Sequence, residues 1–144
     1  KTSSTVILLN KLFENREIQK TYYAVAIGKM TSKGSMTAPI DNKLSFTSYE
    51  VMEQEVSEKF DYLNLVKLIP ESGRKHQLRK HLAEQGNPIL GDPLYGNKGK
   101  ILKGNGLYLH AYSLAFTHPI TKEKLLFSAS PTKKFTRLFP KIDF

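Results

Sequence analysis

Apolar positions recur along this chain in two rhythms, and the changes between them mark its elements. Near the N-terminus Leu8, Leu9, Leu12 and Phe13 fall at three- and four-residue spacing. That stripe predicts a helix, capped by Thr2, Ser3 or Ser4 and ending near Asn15. Residues 20–28 are rich in β-branched and aromatic side chains without helical period, which predicts a buried strand closed by Gly28. A polar loop containing Gly34 leads through Ala38-Pro39-Ile40 to a second strand over 45–55, where Thr47, Tyr49 and Val51 alternate with polar residues. Residues 62–69 form an apolar run broken by Asn64 and Lys67 and bounded by Pro70, the pattern of a central strand.

At residue 74 the period switches. Leu78, His81, Leu82 and Gln85 share one face at helical spacing, and Gly86 and Pro88 supply stop signals, predicting a helix over 74–85. Its other edge carries Arg74, Lys75 and Arg79. Residues 89–96 are turn-rich, 107–117 hold two alternating apolar stretches, and 124–129 read as a last strand. Strands in consecutive pairs, outnumbering helices, predict an α+β domain with a mixed, largely antiparallel sheet. No internal repeat or low-complexity segment divides the chain, so one domain is expected.

Composition narrows the function. The 144 residues are 40% hydrophobic, enough for one packed core. No apolar run approaches the roughly 20 residues of a membrane-spanning helix, since residues 6–9 run at once into Asn10 and Lys11. With no cysteine, disulfide scaffolds, thiolate metal sites and cysteine nucleophiles are all excluded. Lys and Arg number 22 against 13 Asp and Glu, a net charge of +9 that makes nucleic acid the first partner to consider. The sequence shows no targeting or transmembrane segment, so the expected location is cytoplasmic.

Generic catalytic templates are missing. There is no Walker phosphate loop, no paired-glycine dinucleotide turn and no Gly-x-Ser-x-Gly elbow. His76 and His81 stand five residues apart, not the four that align two ligands on a helix face, and no metal site is expected. What stands out is Glu71-Ser72-Gly73-Arg74-Lys75-His76-Gln77-Leu78-Arg79-Lys80-His81-Leu82, followed by Gly86-Asn87-Pro88-Ile89-Leu90-Gly91-Asp92-Pro93-Leu94-Tyr95-Gly96. A strand, a glycine turn and a helix opening with several donors place Gly73 and the first-turn amides near an anion, with Arg74 and Arg79 able to clamp phosphate or carboxylate. The same stretch also reads as a surface helix with ordinary basic decoration.

This stretch closely resembles the RluA family of RNA pseudouridine synthases, in which Thr/Ser-Gly-Arg-x-His-Gln-Ile/Leu-Arg runs into a His/Asn-Pro-Ile-x-Gly-Asp-x-x-Tyr-Gly segment. Lys20-Thr21-Tyr22-Tyr23-Ala24 is similar to the family's Lys-x-Tyr-x-Ala strand. Leu109-His110-Ala111, Leu114, Phe116, His118-Pro119, Phe127, Ala129 and Pro131 match its closing strands. The family's His-Arg-Leu-Asp-x-x-Thr-Ser-Gly motif, which carries the catalytic aspartate, has no counterpart here. The expectation is that residues 1–144 are the C-terminal part of one catalytic domain, with the nucleophile encoded before residue 1.

The resemblance implies isomerisation of uridine to pseudouridine in structured RNA, ribosomal RNA foremost and transfer RNA next, on a pseudouridine synthase scaffold that needs no cofactor. RNA is then the partner, with no membrane, no nucleotide cofactor and a monomer favoured. By motif position Arg79 pairs with the catalytic aspartate and keeps it ionised, and Tyr22 stacks on the target ring and shuttles a proton. Leu78 walls the uracil pocket, while Arg74, Lys75, His76 and Gln77 contact RNA or support the site. Asp92 is read as the organiser of a turn, His81 as a core residue, His110 and His118 as strand and turn residues, and Tyr23 as facing away from the site. The rival reading is a non-catalytic RNA-binding module on the same scaffold.

Overall fold

The computed structural model describes residues 6–8, 18–96, 106–142 and 144. Its strands are β1 (Gln19–Ile27), β2 (Lys33–Met36), β3 (Thr47–Ser57), β4 (Asp61–Pro70), β5 (Leu109–Thr117) and β6 (Lys124–Ser128). Two helices, α1 (Gln77–Gln85) and α2 (Lys133–Leu138), complete the named elements. The strands form one sheet in the order β2-β3-β4-β1-β5-β6, with every pairing antiparallel. The α+β expectation therefore holds, and the sheet is antiparallel throughout its described part.

β1 lies in the middle because its sequence can be buried on both faces. Ala24, Val25, Ala26 and Ile27 are all buried, flanked by Leu65, Val66 and Leu68 of β4. Asn64, the polar interruption in β4, is fully buried and satisfied: its amide donates to the carbonyls of Ala26 (3.1 Å) and Gly28 (2.6 Å) and accepts from Gln54. A buried amide with its valences filled costs little, so the strand continues through it. Alternation sends Tyr22 and Tyr23 to opposite faces of the sheet. Tyr23 packs edge-on against Tyr112 and Phe144, at centroid distances of 4.9 and 5.1 Å.

Sequence and structure differ at four places. The helix expected from residue 74 begins at Gln77, because Gln77 Oε1 accepts from the Arg74 N–H and His76 takes a left-handed φ of 55°. The second strand runs over Thr47–Ser57, two residues later than the alternation indicated. β2 was read as loop. It forms because Gly34 lets the Tyr49 ring of β3 lie on its backbone, where a Cβ would come within 2.7 Å of the ring. α2 lies beyond the last element expected, in a lysine-rich stretch, yet it sinks Phe135 and, at its end, Phe139 completely into the core. Of the N-terminal helix, residues 6–8 are helical, while Leu9, Leu12, Phe13 and the cap and end positions lie outside the described residues.

α1 ends where the glycine and proline signals placed it. Gly86 adopts a φ of 97°, its N–H and that of Asn87 bonding back to the carbonyls of Ala83 and Leu82. Asn87 then donates to the carbonyls of Ile27 and Lys29, tying the end of α1 to the end of β1. Burying Leu78 and Leu82 contributes about 2 kcal/mol each to this packing.

Candidate active site

A cavity of about 350 Å³ opens between β1, the 71–76 loop and the start of α1. Tyr22 enters it from β1, Leu78 and Arg79 from the first turn of α1, and Leu107 and Leu109 close the far side. Arg74, His76 and Gln77 also line it, so the structure brings together six of the seven residues singled out from sequence. Lys75 is the exception: it is exposed and does not line the cavity, because the left-handed turn at His76 precedes the helix.

Local backbone geometry puts each side chain there. β5 carries one extra residue opposite the Thr21/Tyr22 step, a bulge that re-aims the ladder beside Tyr22. Gln77, only 4% exposed, anchors the loop by its side-chain amide. Its oxygen accepts from the Ser72 hydroxyl (2.7 Å) and the Arg74 N–H (3.1 Å), and its nitrogen donates to the Phe46 carbonyl (3.0 Å) and the Thr47 hydroxyl (2.9 Å). All four valences of the amide are spent, two on the loop and two on Phe46 and Thr47, which makes Gln77 a positioning residue in this geometry. Thr47 in turn is hydrogen-bonded to His81 Nδ1 at 2.8 Å, and His81 Nε2–H donates to the Ala38 carbonyl at 2.8 Å. His81 is 1% exposed, the core residue expected from its helical face.

Arg79 makes a pairing that the sequence did not suggest. Its Nε donates to Asp92 Oδ2 at 2.9 Å and its Nη2 to Oδ1 at 2.7 Å. The Arg79 side chain is 14% exposed and that of Asp92 is fully buried. The Tyr95 ring lies 5.1 Å from the guanidinium carbon, and the Tyr95 hydroxyl is hydrogen-bonded to His76 Nδ1 at 3.0 Å. Asp92 Oδ1 also accepts from the N–H groups of Leu94 and Tyr95, so the turn role expected of Asp92 is present beside the ion pair. The acidic partner of Arg79 among the described residues is thus inside the chain.

These contacts set the charge states. Burial alone would raise the Asp92 carboxyl, but the Arg79 hydrogen bond, the backbone N–H groups of Tyr95 and Leu94, and the Arg79 charge outweigh it and hold it below its ordinary value. The hydrogen bond to Asp92 is the main reason the Arg79 pKa is raised. Desolvation, followed by the charges of Arg79, Lys75 and Lys80, lowers the His76 pKa. His110 Nε2 is hydrogen-bonded to the Ala129 carbonyl, and His118 Nδ1 accepts from the N–H groups of Ile120 and Thr121, both outside the cavity.

Of the lining residues that the sequence did not single out, Lys20 carries the charge. Lys20 reaches the same cavity from β1, two residues before Tyr22 on the same face. Its place in the Lys-x-Tyr pattern was visible in sequence, but burial of its charge was not. Among the described residues no cluster of His, Asp and Glu is placed to hold a metal ion, and no helix is long and apolar enough to cross a membrane.

Known proteins resemble this chain in both sequence and fold. The RNA pseudouridylate synthase family matches residues 1–84, which include β1, the loop and most of α1. The chain belongs to that family. It is 36% identical over 137 residues to the uncharacterized RNA pseudouridine synthase YhcT of Bacillus subtilis, covering 85% of this chain and 44% of that protein. It is 30% identical over 171 residues to tRNA pseudouridine synthase C of Pasteurella multocida, covering 99% of this chain and 70% of the relative. Human RNA pseudouridylate synthase domain containing 1 has the same fold, with a TM-score of 0.79 at 24% identity over 95% of this chain and 64% of that one. This RluA-type chain therefore spans less than half of the Bacillus relative's length.

Proposed function

We propose that this protein isomerises uridine to pseudouridine in structured RNA, with ribosomal RNA as the preferred substrate class and transfer RNA as the second. The observation that carries the reading is the meeting of Tyr22 and Arg79 in one cavity large enough for a flipped-out base. The phenol offers a flat apolar face to stack on uracil and a titratable hydroxyl to move a proton. The guanidinium, fixed by Asp92 through Nε and Nη2, keeps Nη1 for a further anion, since no described residue bonds to it. Leu78 supplies the apolar wall.

The reaction breaks the bond from ribose to uracil nitrogen and forms one from ribose to uracil carbon, with the hydrogen displaced from that carbon balanced by one gained at nitrogen. It needs no oxidant and no group donor. It does need an acidic group at the sugar. Asp92 is unsuited: its side chain is fully buried, and both oxygens already accept hydrogen bonds. Asp41 and Asp61 do not line the cavity. As the family resemblance implies, the nucleophilic carboxylate belongs to a segment encoded upstream of Lys1, where it would meet Nη1 of Arg79 and be held ionised.

The test uses RNA tritiated at uracil C5, the position that loses its hydrogen when the new carbon–carbon bond forms. The protein extended upstream should release tritium from large-subunit ribosomal RNA, and Tyr22→Phe should lose that release while still binding RNA. Residues 1–144 alone should bind RNA without release. RNA binding by the extended protein with no release from ribosomal or transfer RNA would leave only the non-catalytic reading.

A further inference from the structure

A second, larger cavity of about 750 Å³ adjoins the first, and the two share Lys20, Pro70, Ser72, Gly73 and Arg74. These five residues form a threshold between an outer groove and the Tyr22–Arg79 pocket. Most of its polar groups are already engaged. The Ser72 hydroxyl donates to Gln77 and accepts from the Phe46 N–H. Arg74 is pinned by Nε and Nη2 to the Leu44 carbonyl, at 3.1 and 2.8 Å. Lys20 differs. Its ammonium stands over Gly73, 3.5 Å from where a Cβ would sit, and among the described residues it makes no ion pair and no hydrogen bond.

An ammonium partly withdrawn from water, with no protein partner among the described residues, gains from an anion placed beside it. Burial lowers the Lys20 pKa, the direction expected of a cation without a counter-ion. The groove does contain a carboxylate, Glu71, but no ion pair joins the two. An anion seated at Lys20 has to fit a groove open to solvent and continuous with a base-sized pocket. An RNA strand meets both conditions, since its bases can enter the pocket while its phosphates stay in the groove.

We propose that Lys20 is the seat for the RNA phosphate adjoining the nucleotide whose base enters the Tyr22–Arg79 pocket, with the strand running on through the outer groove. This rests on the RNA-modifying reading above and adds a residue and a strand path to it. Gly73 leaves the ammonium uncovered on that side, since even a Cβ there would only reach ordinary contact with it at 3.5 Å. Lys20 is thus a binding and positioning residue for the substrate backbone, separate from the pair that meets the base.

The test compares the upstream-extended protein with its Lys20→Met and Lys20→Arg variants, and with Lys124→Met on exposed β6 as a remote charge control. The probe is a short RNA hairpin with uridines in its loop. For Lys20→Met the dissociation constant should rise about tenfold at 0.1 M salt, and the slope of log affinity against log salt should fall by about 0.7–0.9, the loss of one phosphate contact. KM should rise with kcat changed less than about twofold, and Lys20→Arg should recover most of the affinity. The melting temperature of Lys20→Met should not drop, because a desolvated charge has been removed. Unchanged affinity and slope, a fall in kcat at unchanged affinity, or an effect equalled by Lys124→Met would each overturn the proposal. If wild type isomerises uridine while Lys20→Met behaves identically, the phosphate seat fails and the enzyme reading stands. If Lys20 governs RNA affinity but wild type forms no pseudouridine, the reverse holds.

Discussion

Asp92 grips Arg79 with both carboxylate oxygens, through contacts of 2.9 Å from Nε and 2.7 Å from Nη2, and holds the guanidinium over the Tyr95 ring. The pair is 13 residues apart in sequence and joins the first turn of α1 to the turn that follows it. Such a two-point contact fixes the plane of the arginine as well as its position. A guanidinium so held can present its remaining edge to a second carboxylate without reorganising.

Breaking that grip should cost both stability and turnover. Asp92→Ala leaves a largely buried cation without its partner and should destabilise the fold by about 3 kcal/mol in urea unfolding. Arg79→Ala in the upstream-extended protein should reduce isomerisation by at least about a hundredfold, since an electrostatic donor to the reacting centre is lost. Arg79→Lys should keep the charge but not the two-point geometry, and should remain well below wild type in the tritium-release assay.

The depressed Asp92 pKa makes a signed prediction about acid. The unfolded chain binds a proton near pH 3.9 and the folded Asp92 only below that, so the unfolded state takes up more protons as pH falls. The contribution of the pair is fully present above about pH 5 and is lost as pH drops through the folded value. The stability gap between wild type and Asp92→Asn should therefore be constant from pH 7 to about pH 5 and shrink below about pH 4. Unfolding curves taken across that range check it, and a gap that widened in acid would contradict the assignment.

Two left-handed glycines should respond unequally to alanine. Gly91 has a φ of 83°, and a Cβ there would lie 2.0 Å from the Gly106 carbonyl oxygen, so the backbone beside Leu107 would have to move. Gly86, with a φ of 97°, has nothing within 4 Å. Gly86→Ala should cost about 1 kcal/mol, the conformational penalty alone. Gly91→Ala should cost at least about 3 kcal/mol and displace the Leu107 side of the pocket. Thermal denaturation of the two variants gives the comparison directly.

Gln77→Leu replaces a fully engaged amide with a side chain of similar volume. The Ser72 and Thr47 hydroxyls, the Phe46 carbonyl and the Arg74 N–H would each lose a partner around a buried side chain. A loss of about 3 kcal/mol or more is expected, read by denaturant titration, together with faster amide exchange over the 71–76 loop. Gln77→Glu keeps the acceptor but loses the two donors, and should fall between Gln77→Leu and wild type.

The central strands were legible because β1 and β4 are decided locally: their β-branched and aromatic content leaves few alternatives to a buried strand. α1 was legible from the spacing of Leu78, His81 and Leu82 and from the Gly86 stop. Its start was not, since the helical pattern of side chains does not record that a buried amide and a left-handed His76 hold the preceding residues in a loop. β2 and α2 escaped for the same kind of reason. Four residues with a central glycine carry no alternation of their own, and Phe135 and Phe139 among lysines show their burial only once a core exists to receive them.

The sequence by itself determined the class of fold, the family and six of the residues around the pocket, because each is encoded in short-range pattern or in a contiguous motif. Only the tertiary structure decided which acid Arg79 holds and that Lys20 stands partly buried at the mouth of the pocket. Both depend on segments far apart in the chain closing on one another, and neither charge nor periodicity along a sequence specifies a distance through space.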